Sequence, residues 1–168
     1  MTKLRKVSLF VMLLGVLVTL YSLPVRAFAK NSGGSYPPNG HSYSYYRHHT
    51  YKMVWEAPAN PKKFALFAVQ LTHNLTSLLG HGIRVKQIVV AAGPQIAFLM
   101  KKTDAANYGK LKRLSELGVR FVACHAAIVG GHLDRKDFFP FVGAAYPSGI
   151  VYLAKKEAQG YSLFTIGN

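Results

Sequence analysis

Ile88-Val89-Val90-Ala91-Ala92 is a run of five apolar residues with no polar interruption. A strand of that kind must be covered on both faces, which is the condition of an inner strand of a parallel sheet. A second run, Val119 to Ala123, has the same buried character and delivers Cys124 to its carboxyl end. Two such strands demand helices above and below them, and the rest of the chain supplies helical patterns in alternation.

Tyr51 to Glu56 alternates and is β-rich, so it reads as a first strand. Asn60 is a good N-cap with Pro61 at the first helical position. Phe64, Phe67, Ala68, Leu71, Leu75, Leu78 and Leu79 then repeat at helical spacing, and Gly80 and Gly82 end the helix. Gly93-Pro94 stops the second strand, and a short helix follows with Ile96, Leu99 and Met100 inward. Asn107 to Leu117 reads as a helix ended by Gly118, Asp134 to Val142 as a short helix, and Ala144 to Tyr146 as a brief strand. Gly149 to Gln159 is a helix with Ile150, Leu153, Ala154 and Ala158 on one face. Tyr161 to Ile166 closes the sheet.

This order predicts an α/β domain with right-handed crossovers, a mostly parallel sheet of about five strands, and helices on both faces. Ligands of such open sheets bind in the crevice at the carboxyl ends of the strands. Gly93 and Cys124 both fall at such ends.

The amino terminus gives an address. Lys3, Arg5 and Lys6 precede an uncharged, mostly apolar run from Val7 to Leu23, then Pro24 and Ala27-Phe28-Ala29. This is the pattern of a secretory signal, with cleavage expected between Ala29 and Lys30 and a periplasmic destination. No second stretch is long enough to span a bilayer, so no membrane contact is expected after cleavage. Taking residues 1–29 from the 168 leaves 139, and taking their four cations from the formal +15 leaves +11. Such a surface favours anionic partners. Nucleic acid is not expected, because export argues against it and no nucleic-acid motif is present. Residues 30–50, rich in Gly, Ser, Tyr and His, read as a flexible linker, and the domain proper as 51–168.

Cys124 is the sharpest chemical candidate. One cysteine in the chain closes no intramolecular disulfide and forms no CxxC pair. Its reactive form is the thiolate, favoured here by the following helical turn, the adjacent His125 and the cationic chain. The opposing reading is a small buried hydrophobe. His125, His132, Asp134 and Asp137 cluster nearby in sequence but match no metal motif, so no metal and no cofactor is expected. Asn74 is placed on the apolar side of the first helix, beside Leu71 and Leu75, where its amide wants a partner or lines a pocket. No GxGxxG, phosphate loop, GxSxG or HExxH occurs.

The stretch Val89 to Pro94, the segment Leu114 to Cys124, Pro147 to Leu153 and Gln159-Gly160-Tyr161 resemble the DsrE/DsrF-like family of sulfur-relay proteins, over about residues 51–167. The resemblance implies a flavodoxin-like (DsrE/YchN-like) three-layer domain that assembles into homotrimers or homohexamers. It implies that Cys124 accepts and hands on sulfur as a persulfide. It also matches Asn74 and Gly93 to residues common in the family, so that with His125 they form the expected substrate-binding set. Relatives often carry a histidine where this chain has Ala92.

The leading expectation is therefore a periplasmic sulfur carrier, fed by an anionic sulfur donor or sulfur-carrier protein, more a carrier than a multiple-turnover enzyme. The alternative is a non-enzymatic binding or assembly module with a structural cysteine. A third is metal handling by the histidines of residues 41–50.

Overall fold

The computed structural model describes residues 43–166. The expected signal peptide and most of the expected linker lie outside the described residues. The described chain runs α1 (Tyr43–Tyr46), β1 (Thr50–Glu56), α2 (Pro61–Gly80), β2 (Arg84–Ala91), then 3-10 turns at Gly93–Leu99 and Ala105–Asn107. It continues through α3 (Tyr108–Glu116), β3 (Val119–Cys124), α4 (His125–Gly130), a 3-10 turn at Arg135–Asp137, β4 (Val142–Ala145), α5 (Gly149–Ala158) and β5 (Ser162–Thr165).

The five strands form one sheet in the order β4-β3-β2-β1-β5, and every pairing is parallel. The chain steps outward from β1 to β4, then crosses back to place β5 on the free side of β1. On one face, Val89, Phe121 and Ala123 pack against Phe64, Phe67, Leu71 and Leu75 of α2 and Leu111 and Leu114 of α3. On the other, Val54, Ile88, Val90, Val122 and Ala145 lie under Tyr152 and Leu153 of α5 and under Tyr161. This is the expected three-layer, flavodoxin-like arrangement, and the apolar run of β2 is buried from Ile88 to Ala91 because both layers cover it.

Local chemistry starts and stops the main helix as the sequence implies. Asn60 Oδ1 accepts from the amides of Lys62 at 2.9 Å and Lys63 at 3.2 Å, with Pro61 at the first helical position. At the other end Gly82 takes φ +73°, a left-handed conformation that ends the helix at little cost in glycine. Gln87, the buried polar residue of the core, accepts from Trp55 Nε1 at 2.6 Å, so its burial leaves no acceptor stranded.

Three local expectations need correction. Residues 43–50 do not behave as open linker: Tyr43 stacks on His81 with centroids 3.7 Å apart, and Arg47 Nε donates to His81 O at 2.7 Å. Asp134 to Val142 forms a single 3-10 turn rather than a short helix, since Phe138 and Phe139 turn into the core and Val142 already starts β4. On α5, Ile150, Ala154 and Ala158 face outward, and the inner side is Tyr152, Leu153 and Lys156.

Candidate functional site

Cys124 ends β3 and caps α4, so it arrives at the carboxyl edge of the sheet as expected. Alternation along β3 sends Phe121 and Ala123 to the α2 side and Val122 and Cys124 to the α5 side. There the first turn of α5 closes over the sulfur. Gly149 N donates to Cys124 Sγ at 3.1 Å, and Cys124 is 7% exposed. A side chain at Gly149 would meet Ala92 Cβ at 3.2 Å, Cys124 Cβ at 3.4 Å and Cys124 Sγ at 3.6 Å. The ends of β2 and β3 and the start of α5 therefore approach too closely for a side chain at residue 149.

This geometry overturns the sulfur-carrier expectation. A persulfide acceptor must be reached by a donor, and it must hold one more sulfur atom. The single thiol of the chain is buried, and its sulfur already accepts the amide proton of Gly149. Cys124 instead behaves as an interior side chain that satisfies the first amide of α5, a donor the helix cannot satisfy itself. Ser148 Oγ, at the N-cap, serves the same first turn by accepting from Val151 N at 3.3 Å.

The other expected site residues divide. Gly93 follows Ala92 at the end of β2, is exposed, and takes φ +52° at the head of its 3-10 turn. His125 is half-buried beside Cys124, its ring 5.0 Å from that of Tyr146. These two and Cys124 share the carboxyl edge. Asn74 does not join them. It is exposed on α2, and α2 packs on the face of the sheet opposite Cys124 and α5.

His125 also lines a small cleft of about 170 Å³ with Ile128, Arg135, Phe138 and Val142. The Arg135 guanidinium is committed to chain geometry, donating to Phe139 O at 3.2 Å and Pro140 O at 2.7 Å. Asp134 and Asp137 form a reciprocal cap, with Asp134 N donating to Asp137 Oδ2 at 2.7 Å, and Asp134 pairs Lys136 at 3.0 Å. That pairing holds the Asp134 carboxyl below its usual range. Among the described residues, no three His, Cys, Asp or Glu side chains come together as a metal site. Likewise, no described helix is long and apolar enough to cross a membrane.

Sequence reasoning missed the surface just outside Cys124. Tyr146 is 69% exposed, Ile150 79% and Val151 49%. Three large apolar side chains within six residues present themselves to solvent around the first turn of α5. The pattern was readable only as a helical wheel with Ile150 inward; the close seat of Gly149 on Cys124 rotates it outward.

No protein-family model and no curated protein matches the chain. Among solved structures it is similar to the protein of unknown function MTH1491 from Methanobacterium thermoautotrophicum. The two share 22% identity with a TM-score of 0.58, over 69% of this chain and 99% of that one. At that identity the likeness establishes a common fold and nothing finer. Membership of the DsrE/DsrF-like family is not established by it.

Proposed function

We propose that this chain is a non-enzymatic assembly module, with Cys124 as a structural residue beneath a self-association surface. The observation that carries the reading is the pairing of a sealed thiol with an exposed apolar edge directly above it. Contiguous exposed apolar side chains on an otherwise cationic protein mark an interaction surface. The occupant is a second copy of this chain, giving the homotrimer or homohexamer that the family resemblance implies. Tyr146, Ile150 and Val151 form the core of that contact. The proposal includes export: Lys3 to Ala29 direct the chain to the periplasm, and mass spectrometry of the secreted product should find Lys30 at its amino terminus.

Sedimentation velocity on the mature chain tests the assembly. The expected result is a concentration-dependent oligomer that Ile150→Glu converts to monomer with an unchanged circular dichroism spectrum. A parent chain that stays monomeric at high micromolar concentration, or an oligomer indifferent to Ile150→Glu, defeats the proposal.

A further inference from the structure

Beyond the edge that carries Cys124, α5 crosses the sheet and meets a group of cations that pair with no carboxylate among the described residues. Parallel register sets Lys52 of β1 beside Lys86 of β2, and Arg120 of β3 in line with Ile88 and Val54. Ile88 and Val54 face α5, so by the two-residue period of each strand Lys52, Lys86 and Arg120 share that face. Lys156 reaches the same place from the last turn of α5.

Two tyrosines and a glutamine organise two of these cations, Lys52 and Lys156. Lys156 Nζ lies 5.2 Å from the ring centre of Tyr152 and 5.4 Å from that of Tyr161, and Lys52 Nζ lies 5.8 Å from Tyr161. Lys52 Nζ donates to Gln159 O at 3.0 Å, and Lys156 Nζ donates to Gln159 Oε1 at 2.9 Å. Both ammonium groups are thus held in place from one side. Lys52 and Lys156 are half-buried, while Lys86 and Arg120 are exposed. The described ion pairs all lie elsewhere, on Glu116 and Asp134. Burial first, then the charges of Arg120 and Lys155, hold the Lys156 ammonium below its usual range. Gathering like charges around a partly desolvated lysine costs free energy unless an anion joins them.

We infer that the β1-β2-β3 face beside α5 binds a multiply charged oxyanion of the phosphate or sulfate class, with Lys52, Lys86, Arg120 and Lys156 as its ligands. Three strands and a helix deliver the four side chains to one face of the sheet. Arg120 supplies a planar fork suited to two oxygens of one anion, and the lysines supply point charges around it. This site is distinct from the assembly edge at Ile150 and does not depend on it. The same headgroup chemistry occurs free in solution and on anionic lipid, and the test separates those sources.

Isothermal titration of the mature chain with inorganic phosphate, at constant ionic strength set with chloride, reads the site directly. Saturable binding is expected. Arg120→Gln and Lys156→Gln should each weaken it about tenfold, the scale of one charge-assisted hydrogen bond. Lys102→Gln, which removes the same charge from an exposed turn, should leave it unchanged. Arg120 and Lys86 are exposed strand residues, so their glutamine variants should keep the parent's thermal midpoint in chloride. Absence of saturable binding, or equal weakening by Lys102→Gln, overturns the inference. A parallel flotation assay uses vesicles of phosphatidylglycerol against neutral phosphatidylcholine. Binding that Arg120→Gln abolishes and phosphate displaces assigns the ligand to a lipid headgroup. Phosphate binding without vesicle binding assigns it to a soluble anion. Vesicle binding that phosphate fails to displace counts against the site.

Discussion

The amide of Gly149 donates to the sulfur of Cys124 across 3.1 Å, joining the start of α5 to the end of β3. The two residues are 25 positions apart, and the contact is buried. It turns the chain's single thiol from a reagent into a fastener. The strand end needs a small residue to let the helix approach, and the helix needs an acceptor for its first amide.

Thiol chemistry should therefore follow unfolding. Native protein exposed to iodoacetamide is expected to label Cys124 slowly, at a rate set by opening of the α5 start, while protein in denaturant labels at the rate of a free thiol. Cys124→Ala removes the acceptor and leaves a small void, and should cost about 1–3 kcal/mol in urea unfolding. Fast labelling of native protein at the free-thiol rate would falsify the fastener role.

Gly149 should tolerate nothing larger. An added Cβ would sit 3.2 Å from Ala92 Cβ, closer than packed carbons rest. Gly149→Ala is expected to lose about 1–3 kcal/mol through overpacking and to speed labelling of Cys124. Gly109 in α3 is the contrast, because nothing lies within 4 Å of a Cβ built there. Gly109→Ala should gain up to about 0.5–1 kcal/mol from lower backbone entropy in the unfolded chain. The two thermal midpoints should move in opposite directions.

The layers of this fold were legible because the signals that make them are local. The run Ile88 to Ala91 has no polar face to offer water, and Asn60-Pro61 caps a helix by contacts within three residues. The site was not legible, because its decisive contacts are remote. Cys124 is sealed by a residue 25 positions later, and no pattern around it carries that information. Asn74 sits three residues from Leu71, at the margin of the apolar stripe, and Leu75 takes the inward place. The docking of Tyr43 on His81 joins segments that share no periodicity. The reciprocal cap of Asp134 and Asp137 starts only a 3-10 turn, so a segment that reads as a short helix from Asp134 goes no further than Asp137.

Trp55 reports on the core. Its Nε1 donates to Gln87 at 2.6 Å, and its ring stacks on Phe164 with centroids 4.6 Å apart. Gln87→Leu keeps the volume and deletes the acceptor, leaving a half-buried indole donor without its partner. The expected loss is about 1–3 kcal/mol. Trp55 is the chain's one tryptophan, so its fluorescence follows the unfolding without interference. A Gln87→Leu variant as stable as the parent would show that water replaces the lost acceptor.

Asp104 gives the pH test. Its Oδ1 accepts from Asn107 Nδ2 at 2.7 Å, while Oδ2 is buried with no partner among the described residues. Burial raises the Asp104 carboxyl above its usual range, and the Asn107 bond and the charge of Lys110 only partly oppose this. A carboxylate raised on folding binds its proton more tightly in the folded state. Its contribution is therefore complete below the unfolded value and is lost as pH rises through the folded one. Asp104→Asn keeps a neutral group of the same shape and removes that loss. The variant should be more stable than the parent at about pH 7, and the gap should close at about pH 3, where the parent carboxyl is protonated in both states. Thermal midpoints measured across that interval decide the matter. A gap of constant size at every pH assigns the effect to packing and removes the role of the charge.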